Sequence, residues 1–337
     1  LMGLKLQEQK QHTLIIEKNS FTGGYFARFK EKGFNLEYCV SGYLGLEKGG
    51  WLTSFFNKAG LNSLESSFER LSLIDNYLFP DFHFTLDADY RTVEKNLFIL
   101  FPKEKEGINK FFNTIKELYA AITEFQYEKR LNPILMKHSN TMYSHFLDTL
   151  FDDKKIIGLL SARIFGSKVG LVTMAAYLGK IFFDGMFRIK NIDFVKTLTK
   201  KYLELGGELL LNTYVHKVNF QNQSIPEVYT NKGKIWQAEK VISATDMKKT
   251  FNEMVFRNGK SNIGKNKLKN RPLSLSSISI YLVLDKLPHI LEKNPAGRTY
   301  IYQSYNIQDL YERKENGEVI TNDGIKVNLS DNLTGKG

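Results

Sequence analysis

Chemistry first becomes legible in this chain at Thr13-Leu14-Ile15-Ile16-Glu17, followed shortly by Gly23-Gly24. An apolar, β-branched run closes on a carboxylate. In dinucleotide-binding units, the acid that closes the second strand accepts hydrogen bonds from the ribose hydroxyls of an adenosine. Glycines carry no Cβ, so a glycine pair lets the backbone come close to a cofactor. Taken singly, Glu17 is equally an ordinary strand-end acid and Gly23-Gly24 a plain loop. The glycine fingerprint that accompanies such an acid lies about 20 residues before it. Only 16 residues precede Glu17, and they do not contain it.

Other reactive groupings are sparse. His138 and His145 stand seven apart on an expected helix and share a face, but no further ligands lie at suitable spacing, so no metal site is expected. There is no P-loop, zinc-protease motif or nucleophile elbow. No cluster of titratable residues marks a general acid or base. Cys39 is the sole cysteine, which excludes an intrachain disulfide and fits a reducing compartment. The sequons at 222–224, 328–330 and 332–334 are those expected by chance in an Asn-rich chain.

The elements that must position these residues follow from periodicity. Leu1 to Gln11 reads as a helix dotted with Lys, Glu and Gln rather than as a signal peptide, and Thr13 to Ile16 as a short buried strand. Helix, strand and acid form the second half of a βαβ unit. Gly33 turns into a strand over 34–38, and Trp51 to Ala59 is helical. Residues 82–86 and 95–101 are expected as paired strands around a polar turn at 87–91. Pro102 and Gly107 lead into a long helix from Ile108 to about Tyr127, and 140–190 is mostly helical. Ile192 to Leu205 is an amphipathic helix stopped by Gly206-Gly207. Strands are expected over 208–213, 214–219, 240–246 and 273–284. Residues 257–270 form a basic loop, and 316–337 a polar, weakly patterned tail.

Composition sets the bounds. The chain has 337 residues, 42% of them hydrophobic and 25% charged, enough for two domains with packed cores. The net charge of +11 allows anionic partners. No recognised nucleic-acid module accompanies it, so nucleic acid is not the expected partner. The apolar stretch 156–187 is broken by Arg163, Lys168, Lys180 and Asp184, which suits a buried helix or one at a lipid surface better than a span. The reading is a cytoplasmic protein, with peripheral membrane attachment through the basic loop as the leading functional alternative to a solvated loop.

The ordered series 14–19, Gly23-Gly24, Gly33-Phe34-Asn35-Leu36-Glu37, Leu205 to Val218 and Val241-Ile-Ser-Ala-Thr-Asp246 resembles the phytoene desaturase, carotenoid isomerase and retinol saturase group of flavin-dependent oxidoreductases. Residues 101–108 also look like that group's entry into a helical substrate region. The resemblance covers roughly residues 1 to 290. It implies an α/β fold: a FAD/NAD(P)-binding Rossmann-like domain, incomplete at its N-terminus, with an inserted α+β substrate domain. The implied division is 1–75 and 191–250 for the FAD domain, 76–190 and 251–337 for the substrate domain. Glu17 would hold the adenosine ribose, Gly23 and Gly24 would approach the pyrophosphate and flavin, and Val215 would offer its backbone to the adenine. Lys18 and Tyr25 flank these positions and complete the candidate cofactor set.

Several positions depart from the group's pattern. Phe21 and Tyr25 replace basic residues beside the glycine pair, Cys39 replaces a common glycine, and Asp184-Gly185-Met186 keeps one glycine of two. The glycine fingerprint and the C-terminal flavin segment are not found, so the chain is expected to be truncated at both ends. The implied function is FAD-dependent oxidation, reduction or isomerisation at carbon–carbon bonds of a long apolar polyene or lipid-like substrate. A flavin amine-oxidase-like enzyme on a polar substrate, or a non-catalytic homologue that binds lipid or a partner, are the alternatives.

Overall fold

The computed structural model describes residues 1–37, 42–128, 132–189, 194–221, 225–258, 260, 268, 278–286, 288–289 and 297–328. Cys39, two of the sequons, most of the 257–270 loop and residues 273–277 therefore lie outside the described residues. In chain order the first elements are α1 (Met2–Glu8), β1 (Leu14–Ile16), β2 (Arg28–Glu31), β3 (Phe34–Glu37), α2 (Trp51–Lys58), β4 (Phe68–Arg70), β5 (Leu73–Leu78) and β6 (His83–Asp87). The helical stretch follows as α3 (Tyr90–Leu100), α4 (Lys105–Glu128), α5 (Pro133–Lys137), α6 (Tyr143–Leu150), α7 (Lys154–Ser161) and α8 (Leu171–Gly179). Then come β7 (Phe187–Ile189), α9 (Phe194–Glu204), β8 (Glu208–Leu210), β9 (Val215–Phe220), β10 (Glu227–Thr230) and β11 (Ile235–Gln237). The last are α10 (Met247–Lys249), β12 (Val255–Arg257), β13 (Arg298–Ile301), α11 (Ile307–Glu315) and β14 (Ile325–Asn328).

Two compact units divide the chain: 1–29, 37–39 and 192–276 in the first, and 30–36, 40–191 and 277–337 in the second. These divisions differ from 1–75, 76–190, 191–250 and 251–337.

In the first unit β1 pairs in parallel with β8, Leu14 opposite Glu208 and Ile16 opposite Leu210. Helix α9 delivers the chain to β8. It buries Phe194 and Tyr202 and stops at Gly206, whose φ of +87° is the left-handed conformation a helix C-terminus favours. The Tyr202 hydroxyl lies 2.8 Å from the Thr13 carbonyl and 3.0 Å from that of Glu208, and so ties the helix to both strands. Beyond β8 the chain makes an antiparallel meander, β9–β10–β11, to which β12 adds in parallel beside β9.

The second unit is built on the sheet β14-β13-β5-β6 and the helices that cover it. Its core joins Ile74, Tyr77, Phe84 and Leu86 of the sheet to Leu97, Ile108, Phe111, Leu147, Leu171 and Met174 of the helices. Asp75 sits on β5 at 0% exposure. An isolated carboxylate there would be prohibitively costly. It is held by Arg163 and by Arg298, whose Nε is 2.7 Å away, and the Tyr77 hydroxyl donates to it at 2.9 Å.

Four expectations are corrected. Residues 95–101 are helical, not a strand. Asp89 caps α3 by accepting from the Arg91 amide, and Val93 and Leu97, four apart, bury one face. β6 pairs instead with β5. Residues 240–246 form no strand and are exposed, and no strand among the described residues pairs with them. Residues 278–284 are likewise outside any sheet, with Ile278 90% and Ile280 79% exposed. The polar tail contributes β14, which pairs antiparallel with β13.

Two substitutions test these anchors. Asp75→Ala leaves two buried guanidinium groups without their carboxylate and is expected to cost about 3–5 kcal/mol in urea unfolding. Tyr202→Phe strips a shared donor from two backbone carbonyls and is expected to cost about 1–3 kcal/mol by the same measurement.

Candidate functional site

The candidate residues belong to the first unit, and the β1–β8 pairing gathers Glu17, Lys18 and Val215. β1 ends at Ile16, and the chain bends through Glu17 to Asn19. The Glu17 amide donates to the Leu210 carbonyl, the Thr213 amide to the Glu17 carbonyl, and the Asn212 amide to the Asn19 carbonyl, at 2.8, 3.0 and 3.0 Å. The turn after β8 therefore lies along residues 17–19, and β9 starts at Val215 just beyond it. Glu17 and Val215, separated by most of the chain, flank the same turn.

The Glu17 side chain is part-buried. Its Oε1 accepts from the Asn19 amide at 2.8 Å. That bond fixes the carboxylate direction and leaves Oε2 as an acceptor. Lys18 is exposed beside it.

Gly23 sits against the N-terminal half of α9. Its φ is +116°, and a Cβ there would come within 3.0 Å of a Val195 methyl. The Thr22 hydroxyl meets that of Thr199 one turn further along the helix, at 2.9 Å. Glycine is thus required at position 23 by both backbone and contact. Gly24 has φ +55° and nothing within 4 Å of where a Cβ would stand, so its backbone borders open space. Tyr25 is 77% exposed and packs into no core.

The structure also shows what sequence reasoning passed over. Asn19, Asn212 and Thr213 orient Glu17 through their backbone, and Val195 and Thr199 seat Gly23. The i, i+4 spacing of Val195 and Thr199 on an amphipathic helix was the available signal. No group of three or more His, Cys, Asp or Glu suited to a metal occurs among the described residues.

In the second unit, a π-helical turn at 180–184 brings Lys180 and Asp184 together, with Glu47 and Tyr119. Lys180 Nζ donates to Glu47 at 2.5 Å and to Asp184 at 2.6 Å, and the Tyr119 hydroxyl also donates to Asp184. Burial opposes charge on Lys180, but the two carboxylates outweigh it and hold its pKa above the usual lysine value. Burial, and then the Asp184 carboxylate, push the Tyr119 phenol up to about 12. An apolar cavity of about 30 Å³ among Tyr77, Leu97, Phe111, Leu178 and Phe182 is of the size of a water or two, not of a long ligand.

No protein-family model matches the sequence, and no curated protein matches it. Solved structures do. A double mutant of putrescine oxidase, made in a redesign of its cofactor binding, aligns with a TM-score of 0.56 at 16% identity, over 81% of this chain and 62% of that one. Wild-type putrescine oxidase bound to putrescine gives 0.53 at 16% identity, over 76% and 57%. At this identity the likeness is one of fold. The chain spans less than two thirds of the length of either neighbour.

Gly23→Ala is expected to lower stability by about 1–3 kcal/mol in urea unfolding, since it adds left-handed strain and a clash with Val195. The Tyr119 shift has a sign that can be checked. A phenol whose folded pKa exceeds its unfolded value adds stability below the unfolded pKa, and this is lost as pH rises through about 12. Ultraviolet titration of Tyr119→Phe is expected to lack one ionisation near that pH.

Proposed function

We propose that this chain is part of a FAD-dependent oxidoreductase that acts at carbon–carbon bonds of a long apolar polyene or lipid-like substrate. The observation that carries the flavin reading is the meeting of Glu17 with the β8–β9 turn at the end of the β1–β8 ladder, with Gly23-Gly24 following on the same chain segment against α9. The likeness in fold to putrescine oxidase supports it.

The residues present fit the adenosine side of FAD. The Glu17 carboxylate is aimed by Asn19 and keeps one oxygen as an acceptor, which suits ribose hydroxyls. Gly24 borders open space where a side chain would otherwise stand, which suits the approach of a pyrophosphate. Val215 would offer backbone groups to the adenine, and Lys18 and Tyr25 would line the rim. FAD, when bound, supplies hydride exchange with a carbon–carbon bond. The contribution of this chain is to bind and orient.

The polyene substrate rests on the resemblance of residues 14–24 and 205–246 to the desaturase and isomerase group. A second reading, oxidation of a polar amine, draws on the putrescine oxidase likeness.

The natural full-length protein is expected to purify with a flavin absorbance band or to bind added FAD. Glu17→Gln is expected to weaken FAD binding about tenfold to a hundredfold, the worth of a charged hydrogen bond, with unchanged circular dichroism. Protein that stays free of flavin in excess FAD would overturn the reading. Turnover of polyenes against amines, followed by flavin bleaching, decides between the two substrate classes.

A further inference from the structure

The buried ion cluster on β5 does not balance. Arg163 and Arg298 both face the single carboxylate of Asp75. A guanidinium stays charged in a protein, so neither arginine can shed its charge. The Arg163 side chain is 6% exposed, that of Arg298 9% and that of Asp75 0%. Among the described residues no second carboxylate is ion-paired with either arginine. At least one positive charge is therefore in excess inside the second unit, where an unmatched charge is costly.

No tyrosinate supplies the missing negative charge. Burial is the largest influence on the phenols of Tyr77, Tyr300 and Tyr302, and it holds each above the usual tyrosine pKa. Dipoles take up part of the excess. Arg298 Nη2 donates to the Ile74 carbonyl at 3.2 Å and lies 2.9 Å from Met186 Sδ. Arg163 Nη2 donates to the Tyr177 hydroxyl at 2.7 Å, and its guanidinium lies 5.3 Å from the centre of that ring. Arg163 Nε, also buried, finds no acceptor among the described residues.

The same guanidinium lines the apolar cavity of about 30 Å³ bounded by Tyr77, Leu97, Phe111, Leu178 and Phe182. Arg163 is the one charged side chain among its described lining residues. A buried water needs two to four polar partners, and an apolar wall with one open N–H is a poor host for it. An anion is held by the excess charge as well as by that donor, and both act strongly in a low-dielectric surround. A space that admits one or two waters admits a monatomic anion and rejects an extended carboxylate or sulfate.

We propose that this cavity binds one small monovalent anion of the halide class against Arg163 Nε, and that the ion completes the charge balance of the second unit's core. The proposal does not depend on the flavin reading. Every residue it uses belongs to the second unit, and a protein without FAD would still show it.

Thermal unfolding of the full chain at constant ionic strength, with chloride exchanged for gluconate, tests it. The ion binds only the folded core. Chloride is therefore expected to stabilise saturably, raising the folded-to-unfolded ratio about a hundredfold at about a hundred times its Kd. Bromide is expected to act alike, and sulfate and gluconate not at all. Arg163→Met leaves Asp75 and Arg298 as a matched pair and is expected to abolish the chloride response. Leu178→Phe fills the cavity with both arginines in place and is also expected to abolish it. This second variant carries the test if the first does not fold. Lys103→Gln, exposed in the second unit, is expected to keep the response in full. Crystals soaked in bromide are expected to show an anomalous peak beside Arg163 Nε. Equal stability in chloride and gluconate, a chloride response that survives in either cavity variant, an equal loss in Lys103→Gln, or bromide found at the surface as an adventitious ion only would each overturn the proposal.

Discussion

The parallel ladder between β1 and β8 is the constraint on which the first unit depends. It joins Leu14–Ile16 to Glu208–Leu210, two three-residue segments that neither helix formation nor local turns could bring together. Such a short ladder has little stability of its own, so other contacts must hold it. From α9, Tyr202 bridges the carbonyl of Thr13, just before β1, and that of Glu208 in β8, and the 212–213 turn closes over the ladder's end. Glu17 is oriented because its own backbone is an extension of that ladder. The candidate cofactor residues thus follow from a pairing event, not from their local sequence.

The second unit rests on a different device. Asp75 occupies the centre of β5 without solvent, and its charge is answered by Arg163 and Arg298 from elements far apart in sequence. A buried ion pair is weak evidence of net stability, but its members are costly to separate. The effect is to tie β5, the end of α7 and β13 into one arrangement. Around it the apolar packing of α4, α6, α7 and α8 supplies the bulk of the burial.

Local signals were legible wherever they agreed with tertiary context. The amphipathic period of α9, its glycine stop and the punctuated start of α4 could be read directly. Residues 95–101 show the opposite case. Their β-like run suggested a strand, while the Asp89 cap and the Val93–Leu97 spacing, present in the same sequence, specified a helix. Residues 240–246 and 278–284 show a third case. Both have strand composition, but a strand exists only when another chain segment satisfies its backbone. Among the described residues none pairs with 240–246 or 278–284, and apolar side chains there are left exposed.

The amino-acid sequence by itself determined the identity of the chemically informative residues: the acid closing β1, the glycine pair after it, and the concentration of lysine beyond β11. These are properties of residue type and short-range order, set by side-chain chemistry and backbone freedom. Only the tertiary structure decided that Glu17 meets the turn before Val215, that Gly23 is pinned by Val195, and that Asp75 faces Arg163 and Arg298 in a closed core. Each of these depends on contacts between residues distant along the chain. Such contacts form only when pairing and burial repay the entropy of bringing the segments together, and no single segment encodes that balance.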